Sequence, residues 1–188
     1  MAITINGNGT LSGVTAGLTA ASMPAGSILQ TVSCPKTDHV TMTDTDAAWN
    51  DITGVDQAGS GSIWCCKITP RSSSNKIIIL WDISICMDGN DNVYVGVRLM
   101  RDSTAIHQGP ASHASTARAT AESMAGQGKG HISSGTYQDS PSSTSELTYK
   151  LQAYWHSHGI SINAGGTTSN HNYDISSTSN IILLEVAG

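Results

Sequence analysis

Five aspartates, Asp38, Asp44, Asp46, Asp51 and Asp56, fall within twenty residues, and the Asp44-x-Asp46 pair has the spacing with which a calcium loop can begin. No glycine-hinged turn and closing Glu follow, so a solvated loop is the simpler expectation. The run MDGNDN sets Asp88, Asn90 and Asn92 at alternate positions, but Val93 stands where a calcium loop needs Gly and Leu99 where it needs Glu. A hairpin turn is expected there instead. His156 and His158 would share one face of a strand, and His171 in the next loop would complete a three-histidine metal set. Surface histidines on a polar strand end are the plainer reading, and His39, His107, His113 and His131 show no pairing in sequence.

The cysteines Cys34, Cys65, Cys66 and Cys86 contain no Cys-x-x-Cys pair. Adjacent Cys65 and Cys66 on a strand must point to opposite faces, so they cannot grip one ion together. Small buried side chains are the first expectation, with a disulfide left open because connectivity is not readable from spacing. No Gly-x-Ser-x-Gly elbow, phosphate-cradling loop or paired acids on an active-site scaffold occurs, so no catalytic residue, metal or cofactor is expected. Tyr137, Tyr154, Trp155 and Tyr173 would stack on a sugar ring if exposed, although Tyr149 and Trp155 share an inward period and are expected in the core.

The elements that must hold these residues are strands. In KIIILWDISICM the set Ile77, Ile79, Trp81, Ile83 and Ile85 alternates with Ile78, Leu80, Asp82, Ser84 and Cys86. The same period returns in NVYVGVRLMRD and in ELTYKLQAYWHS, and shorter strands are expected at 27–33, 39–43, 61–69, 104–108, within 128–137, at 159–163 and at 180–187. TPRSSSN, DGNDN, DSPSSTS and AGGTTSN supply the turns. Ala111 to Ala125 reads equally as a helix or as a loop entering a strand. The fold class is therefore all-β, a sandwich or jelly roll of about 8–10 antiparallel strands.

Two strands are apolar on both faces: Ile78 and Leu80 back the main row, and Ile182, Leu184 and Val186 back Ile181 and Leu183. Contact with another subunit, helix packing or a thick monomeric core would each account for this. The chain has 188 residues, only 12% of them charged, with 9 basic against 14 acidic and a formal charge of −5. Its cations are scattered singly, which argues against a nucleic-acid partner, and no stretch has the length of a membrane span.

Before Lys36 there is no charged residue. Residues 1–27 are Gly-spaced and rich in Ser and Thr, without the basic region and apolar run of a signal peptide, and are read as an extended attachment arm preceding a 28–188 sandwich domain. Ile3, Ile5, Leu11, Val14, Leu18 and Met23 are its candidate anchors. A floppy terminus with no role is the competing reading.

The segments MAITINGNGTLSGVTAG and AGSILQTV, then ITPRSSSNKIIIL, VGVRLMRDSTAI, YQDSPSSTSELTYKLQAY and STSNIILLEVAG, together resemble a family of virion structural proteins of tailed phages, especially of cyanobacteria and marine bacteria. The resemblance covers nearly the whole chain. It implies a homotrimeric β-sandwich serving as a capsid decoration (cement) protein or as a tail-fibre segment. No repeat, coiled coil or β-helix that would build a shaft is present, which favours decoration. The expected partner is then the major capsid protein, at the outer surface of a virion whose proteins are made in the host cytoplasm. Ile78, Leu80, Ile182, Leu184 and Val186 are the expected trimer contacts, and Asp88, Asn90, Asp91, Asn170 and His171 form the loops that would face the host. The alternative reading is a receptor-binding tail protein recognising a host surface glycan.

Overall fold

The structure, a computed structural model, describes residues 4–5, 11–12, 23–43, 48–56, 59, 61–88, 93–109, 121–125, 130–155, 159–164 and 176–188. Every regular element among them is a strand: β1 (Thr4–Ile5), β2 (Leu11–Ser12), β3 (Ile28–Ser33), β4 (Val40–Met42), β5 (Trp49–Asp51), β6 (Cys65–Ile68), β7 (Lys76–Asp88), β8 (Val93–Arg101), β9 (Thr104–His107), β10 (Ala121–Ala125), β11 (Gly130–Asp139), β12 (Leu147–Trp155), β13 (Gly159–Ile162) and β14 (Asn180–Val186). The protein is an all-β, antiparallel sandwich. Of the ambiguous stretch Ala111 to Ala125, the described part is β10, paired with β8, which favours the strand reading over the helix.

Several strands share one column of a sheet. β14 and β13 both pair with the same side of β7, which leaves its other side to β11, and β3 and β4 continue outward from β14 and β13. In the second sheet β5 and β6 divide one side of β12, β8 takes the other, and β9 and β10 divide the far side of β8. The first sheet thus reads β3/β4, β14/β13, β7, β11, and the second β5/β6, β12, β8, β10/β9. Numbered along the chain, these eight columns pair first with eighth, second with seventh, third with sixth and fourth with fifth. That nested pairing is one long hairpin rolled up on itself, the topology of a jelly roll.

The period-two rows explain the core. Ile77, Ile79, Trp81, Ile83 and Ile85 of β7 face Val95, Val97 and Leu99 of β8 and Leu147, Tyr149, Leu151 and Trp155 of β12, with Ile181 and Leu183 completing the layer; all are buried. A fully buried aliphatic side chain contributes about 1.5–3 kcal/mol against exposure. Gly135 of β11 is required by this packing, because a Cβ there would occupy the space of the Trp81 indole.

Three ties join the layers. Cys34, just after β3, is disulfide-bonded to Cys66 of β6, with Cα atoms 5.6 Å apart, linking the first sheet to the second. At another corner Asp139 of β11 accepts from Arg101 Nη1 at 2.9 and 2.8 Å and from the Tyr149 hydroxyl at 2.8 Å. Burial, reinforced by that carboxylate, raises the Tyr149 phenol pKa. The third tie is Glu185, wholly buried, whose carboxylate accepts from Gln30 Nε2 at 2.7 Å, the Arg71 backbone N–H at 2.6 Å and Asn75 Nδ2 at 2.6 Å. It seats the turn between β6 and β7. The expectation of four small core thiols is therefore corrected for Cys34 and Cys66, while Cys65 and Cys86 are buried outside the disulfide.

Candidate functional site

Each sheet turns one row of side chains inward and the other outward, so the sandwich presents two broad outer faces of different chemistry. On the first sheet the outward residues form an apolar stripe along β14 and β7, flanked by Thr31 and Ser33 of β3 and by Thr136 and Gln138 of β11. Ile182 lies opposite Leu80 and Leu184 opposite Ile78 in the β14–β7 register, and Val186 lies opposite Ile28 in the β14–β3 register. Ile28 is 58% exposed and Leu80 38%, with Ile78, Ile182, Leu184 and Val186 half-buried. Ile132 of β11, outward on the same sheet, is 71% exposed. The described residues provide no further layer over this row. A shallow groove of roughly 540 Å³ runs between Leu80, Asp82 and Ile182 on one side and Ser134 and Thr136 on the other. Partial burial raises the pKa of Asp82 at its edge.

On the second sheet the outward row is polar and aromatic. β12 contributes Lys150, Gln152 and Tyr154, β5 contributes Trp49 and Asp51, and β8 contributes Arg98; the register sets Tyr154 opposite Trp49, and Gln152 opposite both Asp51 and Arg98. The Trp49 and Tyr154 rings are 5.5 Å apart at their centroids and tilted by 50°. The Arg98 guanidinium lies 4.4 Å over the Trp49 ring. Its Nε and Nη2 donate to Gln152 Oε1 at 2.8 and 2.6 Å. Gln152 Nε2 in turn donates to Asp51 Oδ1 at 2.8 Å, and Lys150 Nζ to Asp51 Oδ2 at 2.7 Å. All six side chains are half-buried. Desolvation lowers the Arg98 pKa, a sign that its charge is poorly hydrated.

Other expectations distribute as follows. Of the arm anchors, Ile5 and Leu11 pair across β1 and β2, a local hairpin that the Gly-spaced sequence did not announce. Met23 is half-buried, and Ile3, Val14 and Leu18 lie outside the described residues. Gly26 N–H donates to the Ala187 carbonyl at 2.9 Å and Ala187 N–H to that of Ser27 at 2.9 Å, so the chain joins β14 just before β3. Of the loop residues expected to face a host, Asp88 ends β7, and Asn90, Asp91, Asn170 and His171 lie outside the described residues. The same is true of Asp44, Asp46, Asn92, His113, His156, His158 and Tyr173.

The remaining aspartates each have a lysine: Asp38 with Lys36 at 2.8 Å, Asp51 with Lys150 at 2.7 Å and Asp56 with Lys67 at 3.3 Å. No group of three potential metal ligands occurs among the described residues. Tyr149 and Trp155 are buried, as their period requires. Tyr137 stacks on His107 with centroids 4.6 Å apart, and burial lowers the His107 pKa. Trp49 and Arg98 were not singled out by spacing. Alternation puts Arg98 and Tyr154 on outward rows, but only the strand register reveals that they meet through Trp49.

No family model matches the chain, and no curated protein matches it. Among solved structures it is similar to a chain of "Structure of infectious bursal disease virus Gx strain", at 10% identity and TM-score 0.30 over 81% of this chain and 39% of that chain. The chain thus spans about two fifths of that protein's length, and a likeness this loose carries no weight for function.

Proposed function

We propose that this protein is a virion structural protein of a tailed phage, a decoration protein that sits as a homotrimer on the outer capsid surface, binds the major capsid protein and strengthens the shell. The observation that carries the reading is the apolar outer row Ile28, Ile78, Leu80, Ile182, Leu184 and Val186 on a jelly roll. A sheet face of this kind normally meets another protein surface, and closed rings of identical subunits are the common way to bury it. The topology supports the reading by analogy alone, since viral capsid domains use jelly rolls, as do lectins and cupins. The tailed-phage resemblance of the sequence supplies the particular class. Three arms on one trimer would raise the effective concentration at the shell, so individually modest contacts sum to a durable hold.

Purified particles labelled with an antibody to this protein test the proposal: copies over the whole capsid agree with it, and copies confined to the tail contradict it. The second reading, a tail protein that recognises a host glycan, is favoured by the Trp49, Tyr154 and Arg98 cluster and predicts the tail-restricted pattern.

A further inference from the structure

We infer that the first sheets of three copies join edge to edge, β3 of one copy beside β11 of the next, and close a triangular prism with the apolar stripe turned to its axis. The inference rests on the trimer proposed above and assigns its contact surfaces.

The edges of the two sheets differ. Among the described residues β3 pairs only with β14 and β11 only with β7, so the first sheet ends on both sides in a strand with one side open. The six residues of β3 include no charge and no proline. In the ten residues of β11 the one Asp, Glu, Lys or Arg is Asp139, at the last position and bound to Arg101. The edge strands of the second sheet are only three to five residues long, and they carry Asp51 on β5, Lys67 on β6 and Glu122 on β10. Short length and charge are the usual protection of an edge against pairing with another chain, and β3 and β11 lack both.

Backbone direction fits a ring. Cys34 N–H donates to the Ile181 carbonyl at 2.9 Å and Lys36 N–H to that of Ser179 at 2.8 Å, so alternate positions turn toward β14 and the amides of Thr31 and Ser33 point out of the sheet. Both residues are exposed. Three antiparallel pairings separate β3 from β11, so these two strands run in opposite directions. A three-fold axis along the strands keeps β3 of the next copy in its original direction, and it meets β11 antiparallel.

Size fits as well. Four columns at a spacing of about 4.8 Å make a sheet about 19 Å wide. Three such sheets set as a triangle hold each face about 5.5 Å from the axis, close to half the separation of roughly 10 Å at which packed sheets interdigitate. Side chains therefore fill the space. The axis is nearest to the middle columns, where Ile78, Leu80, Ile182 and Leu184 stand. It is farthest from the corners, where the polar outward residues Thr31 and Ser33 come beside the β11 row of Thr136 and Gln138. A face-to-face dimer would bury the same stripe and leave both edges open.

The test uses the full chain and combines sedimentation with amide hydrogen exchange and cross-linking. In the unaltered protein Thr31 and Ser33 are expected to exchange at least about tenfold more slowly than in an unstructured peptide of the same sequence, and to lose that protection in Leu184→Asp. The double variant Thr31→Cys with Thr136→Cys, treated with a short bismaleimide, is expected to give a covalent trimer on a denaturing gel. Cys65 and Cys86 are buried and stay out of the reaction. Either single variant should give no cross-link, since equal positions lie at separate corners. Unprotected Thr31 and Ser33 in a protein that still sediments as three chain masses overturn the inference and leave the trimer standing, as does cross-linking of a single variant. A species of one or two chain masses overturns the trimer itself as well.

Discussion

The two outer faces of this sandwich are built by the same rule and reach opposite ends. β14 and β12 each alternate inward and outward residues, yet the outward set of β14 is Ile182, Leu184 and Val186 and that of β12 is Lys150, Gln152 and Tyr154. The β12 face satisfies itself among its described side chains: Lys150, Gln152, Asp51 and Arg98 each have a partner on a neighbouring strand. The β14 face has no such internal solution, because a methyl group in water is relieved only by another apolar surface. A face of the first kind can stay wet and meet ligands transiently; one of the second kind is explained by permanent company.

A single charge on each face separates them most sharply. Leu184→Asp is expected to dissociate the proposed trimer at a cost of about 3–5 kcal/mol in association, since an unpaired carboxylate would be buried at each proposed contact. The isolated domain should keep its fold, because Leu184 is only half-buried within one chain. Sedimentation of the variant checks this, and a trimer that survives it would place the contact elsewhere.

Between the faces lies the Cys34–Cys66 tie. It closes a loop of 32 residues in sequence separation, for which chain entropy gives about 3–4 kcal/mol. Replacing both cysteines with serine should lower the urea midpoint accordingly. The change should fall on both faces together, since the bond holds one sheet to the other.

A smaller loss is expected at Glu185. Glu185→Gln keeps the shape but removes the charge from three hydrogen bonds, costing roughly 1.5–3 kcal/mol in denaturant titration. On the wet face, Arg98→Gln should change stability by less than about 1 kcal/mol and leave the oligomeric state alone, because a partly exposed cation–π contact and a surface network contribute little.

The mildest effect is one of pH. Burial holds the His107 pKa below its usual 6.5. Below that value the unfolded chain binds a proton that the folded imidazole resists, so stability falls as pH drops from neutrality through 6.5 and levels off below the folded pKa. A His107→Gln variant should show a flatter stability profile over that window by thermal melts.

Much of the fold is legible in the residues because a strand with one buried face writes its period directly into the chain. Ile77, Ile79 and Trp81 announce the inner row of β7, and Leu147, Tyr149 and Leu151 that of β12. Column sharing, as when β13 and β14 both take one side of β7, is not written there, because it depends on which strands meet after long connections. The same limit hid the wet face: Trp49 and Tyr154 are about a hundred positions apart and only the register brings them together. The disulfide was hidden likewise, since nothing in the spacing of Cys34 and Cys66 distinguishes them from Cys65 and Cys86. The outward apolar row was visible from the start, because Ile182, Leu184 and Val186 break the alternation that a wet face would show.

Sedimentation equilibrium of the full chain at micromolar concentration is the most direct test that sister copies cover the β14 face. The expected result is one species of three chain masses that falls to a single mass on Leu184→Asp; a stable single-chain species in the unaltered protein would contradict it.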